Sequence, residues 1–158
     1  MAALKRLPLL SGADEVELVR IAEKVVDRRF AKGEVLVKEG SKGSDVFFIV
    51  SGVCEVRRTL GGQEKALATL GPGQFFGEIA VLSPDLRTAT VAALEEVTAF
   101  TLSAWEFREA LHGSPTTAYQ VMKELAGRIR KLEERLATLE GSAARNQAAA
   151  PPTSHRKR

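Results

Sequence analysis

Cysteine is nearly absent from this 158-residue chain. Cys54 stands alone, which excludes an internal disulfide framework and a multi-cysteine metal site. Histidine is almost as scarce, with only His112 and His155. Metal-dependent hydrolysis needs clustered ligands, and covalent catalysis needs a base beside its nucleophile. Two scattered histidines supply neither, so no metal and no enzymatic activity are expected. No apolar run approaches the ~20 residues that a membrane-spanning helix requires. The stretch 1–10, interrupted by Lys5, Arg6 and Pro8, is too short for a secretory signal. A cytoplasmic protein without a membrane segment is the expectation. A strong excess of one charge is also missing. The net charge is +3, and Arg156, Lys157 and Arg158 lie in the last residues of the chain. The remainder is near neutral, without the basic stripe of a nucleic-acid binder.

Hydrophobic residues make up 44% of the chain and charged residues 27%, enough for one ordinary core and a polar surface. Ser11 and Asp14 offer caps to an N-terminal helix carrying Val16, Leu18, Val19, Ile21, Ala22 and Val25. From about residue 25 to residue 102 the character changes. Short runs rich in β-branched and aromatic residues appear at 35–37, 46–50, 53–56, 66–70, 90–93 and 97–102. Glycines punctuate them, among them Gly33, Gly40, Gly52, Gly61, Gly62, Gly71 and Gly73. Many short strands at regular spacing predict an antiparallel sandwich or barrel. Ser103-Ala104-Trp105-Glu106 reads as a capping box that starts a helix ending near Gly113. Ser114-Pro115 then starts another, expected to run to about Leu139. The chain thus divides into a helical segment 1–24, a β region 25–102, helices over 103–140 and a tail 141–158. The tail is rich in Ala, Pro, Ser, Thr and basic residues, and its composition predicts disorder.

Residues 76–90 break the strand pattern. Gly77 lets the backbone approach a ligand closely. Glu78 to Leu82 can form one or two helical turns before Pro84, and such a start presents N–H groups suited to an anion. Arg87 carries a planar fork that fits two phosphate oxygens. Glu78 suits a sugar hydroxyl. These residues alone equally allow a surface loop closed by a Glu78–Arg87 ion pair. Among the other candidates, Cys54 reads as a buried small hydrophobe and Trp105 as a packing residue. Arg57 and Arg58 read as a solvated pair, and His112 as a cation at a helix end.

Phe76-Gly77-Glu78-Ile79-Ala80 followed by Arg87-Thr88-Ala89-Thr90-Val91 resembles the phosphate-binding cassette of the cyclic nucleotide-binding domain family. Phe30-Ala31-Lys32-Gly33-Glu34-Val35-Leu36, Glu39-Gly40, Phe48 to Gly52 and Leu70-Gly71-Pro72-Gly73 are similar to that family's barrel turns. The resemblance covers about residues 1–139. It implies a mainly β fold, an antiparallel jelly roll or cupin-like barrel with an N-terminal helix and two C-terminal helices. It implies that Glu78 accepts from the ribose 2′-hydroxyl and that Arg87 pairs with the cyclic phosphate. Backbone N–H groups of Gly77, Ile79, Ala80 and Thr88 or Ala89 would meet phosphate oxygens, and Thr88 would add its hydroxyl. Val56 and Leu67 would pack on the base. Cyclic AMP is the expected ligand. Thr88 permits cyclic GMP, because its hydroxyl can meet the guanine 2-amino group.

In the last helix Ala118, Met122, Leu125, Ile129, Leu132, Leu136 and Leu139 recur in alternating steps of four and three, a heptad seam. Arg128 and Arg135 fall at g, and Glu133 and Glu140 at e, the spacing of a parallel two-stranded coiled coil. A homodimer through residues 122–139 is expected, the alternative being that the stripe packs on its own chain. Arg128 has two candidate roles, capping the purine base as in channel members of the family or pairing across the dimer. The same helix would close over the base and relay the signal. A catabolite-activator-type regulator would need a DNA-binding domain after this helix. Fewer than twenty residues follow Leu139, so that reading holds only for a truncated chain.

Overall fold

The computed structural model describes residues 3–83 and 86–148. The chain forms two compact units, Met1–Gln120 and Val121–Arg158.

The first unit opens with two short 3-10 turns, Leu4–Arg6 and Pro8–Leu10, and then helix α1, Glu15–Ala22. Asp14 caps α1 by a reciprocal box: Glu17 N–H donates to Asp14 Oδ1 at 2.8 Å, and Asp14 N–H donates to Glu17 Oε2 at 3.1 Å. Eight strands follow: β1 Val26–Phe30, β2 Val35–Val37, β3 Val46–Ser51, β4 Cys54–Leu60, β5 Gln63–Leu70, β6 Phe75–Phe76, β7 Thr90–Ala93 and β8 Val97–Leu102. Helix α2, Glu78–Leu82, interrupts them between β6 and β7. Every pairing is antiparallel, in two four-stranded sheets of order β1-β8-β3-β6 and β2-β7-β4-β5. The expected mainly β architecture is therefore the observed one.

The core lies between the sheets. Phe30, Phe47, Ile49, Cys54, Leu70, Phe76, Val91, Ala93, Val97 and Ala99 form one buried cluster, with Phe47 and Phe76 stacked at 4.8 Å. Successive strand residues face opposite ways. Phe48 accordingly turns away from Phe47 and meets Phe75 and Phe107, at 6.0 and 6.2 Å between ring centroids. Phe107 belongs to α3, Ala104–Gly113, whose start carries the capping box expected at Ser103 and Glu106. Ser114 then caps α4, accepting from Thr117 N–H at 3.1 Å, with Pro115 in the first position.

Several elements differ from the sequence reading: β4 and β5 are longer than the runs 53–56 and 66–70, and three further differences have a clear physical cause. β1 was not expected, because Val-Asp-Arg-Arg-Phe lacks strand alternation, and four of its five residues are exposed. It exists through its five-residue pairing with β8. β6 is only two residues long and is defined by its pairing with Phe47 and Phe48. Helix α4 continues to Ala148 rather than ending near Leu139, so part of the tail expected to be disordered is helical. Residues 149–158 of that tail lie outside the described residues. No helix among the described residues is long and apolar enough to cross a membrane, and no group of three or more potential metal ligands occurs among them.

Candidate functional site

β6 delivers the chain to Gly77, whose φ of +92° caps α2 from the left-handed region. Glycine is required here on two counts. That conformation is strained for other residues, and a Cβ would lie 2.5 Å from the Asp45 carbonyl oxygen and 2.7 Å from Arg87 Nη1. Both neighbours belong to the protein itself, one a backbone carbonyl and one the Arg87 side chain. α2 then buries Glu78, Ala80 and Val81 and leaves Ile79 exposed.

Arg87 lies where the cassette rejoins the sheet. It is only 7% exposed, and Glu78 only 3%. Arg87 Nη2 donates to Asp45 O at 2.9 Å, and Nη1 donates to Gly77 O at 3.3 Å. The guanidinium carbon sits 6.0 Å from the centre of the Phe47 ring. The backbone of Arg87 is held as well, by Arg87 N–H to Ser41 O at 2.9 Å and Gly40 N–H to Arg87 O at 2.8 Å. Burial pulls the Arg87 pKa below its ordinary value, and the charges of Asp45 and Glu78 push it back up. Arginine stays protonated regardless. The result is a buried cation, two of whose hydrogen bonds go to carbonyl oxygens, with the carboxylates of Asp45 and Glu78 near enough to act on its charge.

Thr88 is exposed and Ala89 half-buried, both outside any strand. Val56 and Leu67 lie on the paired strands β4 and β5. Val56 stands opposite Val91 and Ala68 and packs on the core cluster. Leu67 falls at a register shift, between the Val56–Ala68 and Arg57–Ala66 pairs, and is half-buried. In the second unit Arg128 Nε contacts Glu124 Oε1 at 3.2 Å, an ion pair one turn back along its own helix. That contact is neither of the two roles expected for Arg128.

Asp45, Phe47, Gly40 and Ser41 meet Arg87, and the sequence did not single them out for a role at the site. Glu39-Gly40 was visible only as a turn. Nothing in the local pattern marked Asp45, whose contact with Arg87 spans 42 residues.

The antiparallel roll thus carries a buried glutamate at the start of a short helix and a buried arginine close after it. The family is given by residues 27–114, over half of the chain, which match the family model described as the cyclic nucleotide-binding domain; the chain belongs to that family. The cyclic AMP receptor protein of Thermus thermophilus is 31% identical, over 92% of this chain and 68% of the relative. The CRP-like cAMP-activated global transcriptional regulator of Mycobacterium tuberculosis is 27% identical, over 86% of this chain and 61% of the relative. The crystal structure of the Thermus thermophilus catabolite activator protein superposes with a TM-score of 0.77 at 31% identity, covering 88% of this chain and 66% of that one. The chain therefore spans about two thirds of the length of these relatives. It is a cyclic-nucleotide-sensing domain by family and fold, and these relatives carry the names of receptors and regulators rather than of enzymes.

Proposed function

We propose that residues 76–90 bind a cyclic nucleotide without altering it, and that cyclic AMP is the preferred ligand. Arg87 pairs with the cyclic phosphate, and Glu78 accepts from the ribose 2′-hydroxyl. Backbone N–H groups of Gly77, Ile79, Ala80 and Thr88 or Ala89 complete the phosphate seat. Val56 and Leu67 pack on the base. The observation that carries this reading is the burial of both charged side chains in one cassette, Glu78 at 3% and Arg87 at 7% exposure. Burying a charge is costly unless it is paired and hydrogen-bonded. A ligand with one anionic phosphate and a sugar hydroxyl is complementary to both groups. The domain is a sensor and not an enzyme, acts in the cytoplasm, and relays its state through α4. A second reading is favoured by the two receptor- and regulator-type relatives. In it this chain is the sensing part of a longer transcription regulator, and DNA contact belongs to residues beyond it.

Calorimetric titration with cyclic AMP and cyclic GMP tests the reading. Binding of both, tighter for cyclic AMP, is expected. A hydroxyl bond from Thr88 to guanine is worth only about 0.5–1.5 kcal/mol, a tenfold preference at most. If cyclic GMP binds tighter and Thr88→Ala erases the difference, Thr88 is the selector and the choice of base is wrong. Absence of binding by either nucleotide overturns the site.

A further inference from the structure

β4 and β7 run side by side only as far as the Arg57–Thr90 pair. Continued in the same antiparallel register, Arg58 would meet Ala89, and Thr59 would meet Thr88. Residues 86–89 instead leave the sheet and carry no strand structure. When one strand peels away, the backbone groups of the strand left behind need other partners. Thr59 has one: its N–H donates to Glu39 Oε2 at 2.8 Å. The other carboxylate oxygen of Glu39 lies 3.8 Å from Arg58 Nε. The backbone N–H of Glu39 donates to the hydroxyl of Thr90, the first residue of β7, at 3.0 Å. The next two residues of the same loop, Gly40 and Ser41, hold the carbonyl and the N–H of Arg87.

We propose that Glu39 is a positioning residue of the nucleotide site. Its carboxylate takes the place on β4 that the cassette backbone would otherwise occupy. It thereby holds Arg87, Thr88 and Ala89 off the sheet, with the backbone of Thr88 and Ala89 turned to a ligand phosphate and the backbone of Arg87 tied to Gly40 and Ser41. β4 also carries Val56, so one side chain fixes the base-side strand and the phosphate-side loop in a common frame. The proposal rests on the reading of residues 76–90 as the ligand site. Glutamine keeps an acceptor oxygen for Thr59 N–H, whereas alanine removes it, so the two substitutions separate the acceptor from the charge.

The test measures cyclic AMP affinity by calorimetry, and amide hydrogen exchange without ligand, for the whole chain. Glu39→Ala should weaken binding about tenfold or more, the effect of losing one well-placed hydrogen bond, and Glu39→Gln should stay within about threefold of the wild type. Glu95→Ala, exposed in the turn between β7 and β8, serves as a control with unchanged affinity. Exchange at Thr59 should accelerate in Glu39→Ala and not in Glu39→Gln. Thr90→Val, which removes the hydroxyl that Glu39 N–H uses, should weaken binding in the same direction and covers the case of a poorly folded Glu39→Ala. Equal affinity of wild type and Glu39→Ala overturns the proposal, and so does an equal loss in the Ala and Gln variants. Failure of the wild type itself to bind refutes the underlying site. The Thr59 exchange rates then still decide whether Glu39 holds β4: acceleration in Glu39→Ala alone supports it, and unchanged rates refute it.

Discussion

At the scale of single residues, the cassette is a problem of where to put a guanidinium. Arg87 faces the carbonyl oxygens of Asp45 and Gly77 and the ring of Phe47, so its position is set before any ligand arrives. Arg87→Ala should weaken cyclic-nucleotide binding by about 2–4 kcal/mol, since a charge-assisted bond to phosphate is lost in a desolvated site. Calorimetry on a variant shown to be folded by circular dichroism checks this, and unchanged affinity would remove Arg87 from the site. Glu78 and Arg87 were legible in the sequence because their chemistry is local to one segment. Asp45 and Glu39 were not, because their contacts are made by a loop some forty residues earlier, brought in only by the sheet. Cys54 was legible as a buried small side chain. Burial pushes its thiol from an ordinary 9.0 up to about 11. The raised folded-state value means that the fold favours the neutral thiol. Its contribution to stability is thus complete below about pH 9 and is lost as pH rises towards 11. Chemical denaturation at pH 8, 9.5 and 10.5 should show that decline in the wild type and a shallower one in Cys54→Ala. Parallel declines would disprove it.

At the scale of elements, what could be read was what is encoded nearby. The caps at Asp14, Ser103 and Ser114 involve residues three apart, and all three are present in the structure. Ser103 donates to Glu106 from its backbone N–H at 3.0 Å and from its hydroxyl at 2.8 Å, and accepts from Glu106 N–H at 3.3 Å. Those hydrogen bonds, with help from Lys24, hold the Glu106 carboxyl below the usual carboxylate range. A depressed folded-state value stabilises above the ordinary carboxylate pKa and fades as pH falls through it. Ser103→Ala should cost about 1 kcal/mol at neutral pH, the usual worth of a helix cap, and less below pH 4. Urea denaturation at both pH values measures it, and an equal cost at both would detach the cap from the titration of Glu106. β1 and β6 could not be read, because each is held by partners distant in sequence rather than by its own pattern. The stop of α4 was misplaced for a different reason. Residues 141–148 lack an apolar stripe and read as tail, yet their alanines are strong helix formers and continue a helix already nucleated.

At the scale of the whole molecule, the distal part of α4 poses a burial problem that one copy does not solve. Met122, Ile129, Leu132, Leu136 and Leu139 are exposed by 59, 57, 57, 59 and 65%. Their heptad spacing puts them on one stripe of a 34-residue helix, and from residue 122 to residue 139 that stripe is about 26 Å long at 1.5 Å per residue. An apolar stripe of that length left in water marks an association surface. A second copy fits it by sequence alone. Run parallel, Met122, Ile129 and Leu136 occupy the a positions and Leu125, Leu132 and Leu139 the d positions. Arg128 and Arg135 then face Glu133 and Glu140 of the second copy. The Arg128–Glu124 contact at 3.2 Å within one helix does not oppose this, because exposed ion pairs are worth at most about 1 kcal/mol and exchange partners readily. The prediction is a parallel homodimer through residues 122–139. Burying a leucine contributes about 1.5–3 kcal/mol, and a carboxylate in its place faces the same group on the partner helix in an apolar seam. Leu132→Asp should therefore raise the dimer dissociation constant by about hundredfold or more while the β roll stays folded. If leucine packing dominates and the g–e′ pairs only set register, raising the salt to about 0.5 M should weaken the dimer less than tenfold. Light scattering at tens of micromolar should give twice the chain mass for the wild type and the chain mass for Leu132→Asp. A monomeric wild type at that concentration refutes the dimer, and a steep loss of dimer with salt would assign it to the ion pairs instead.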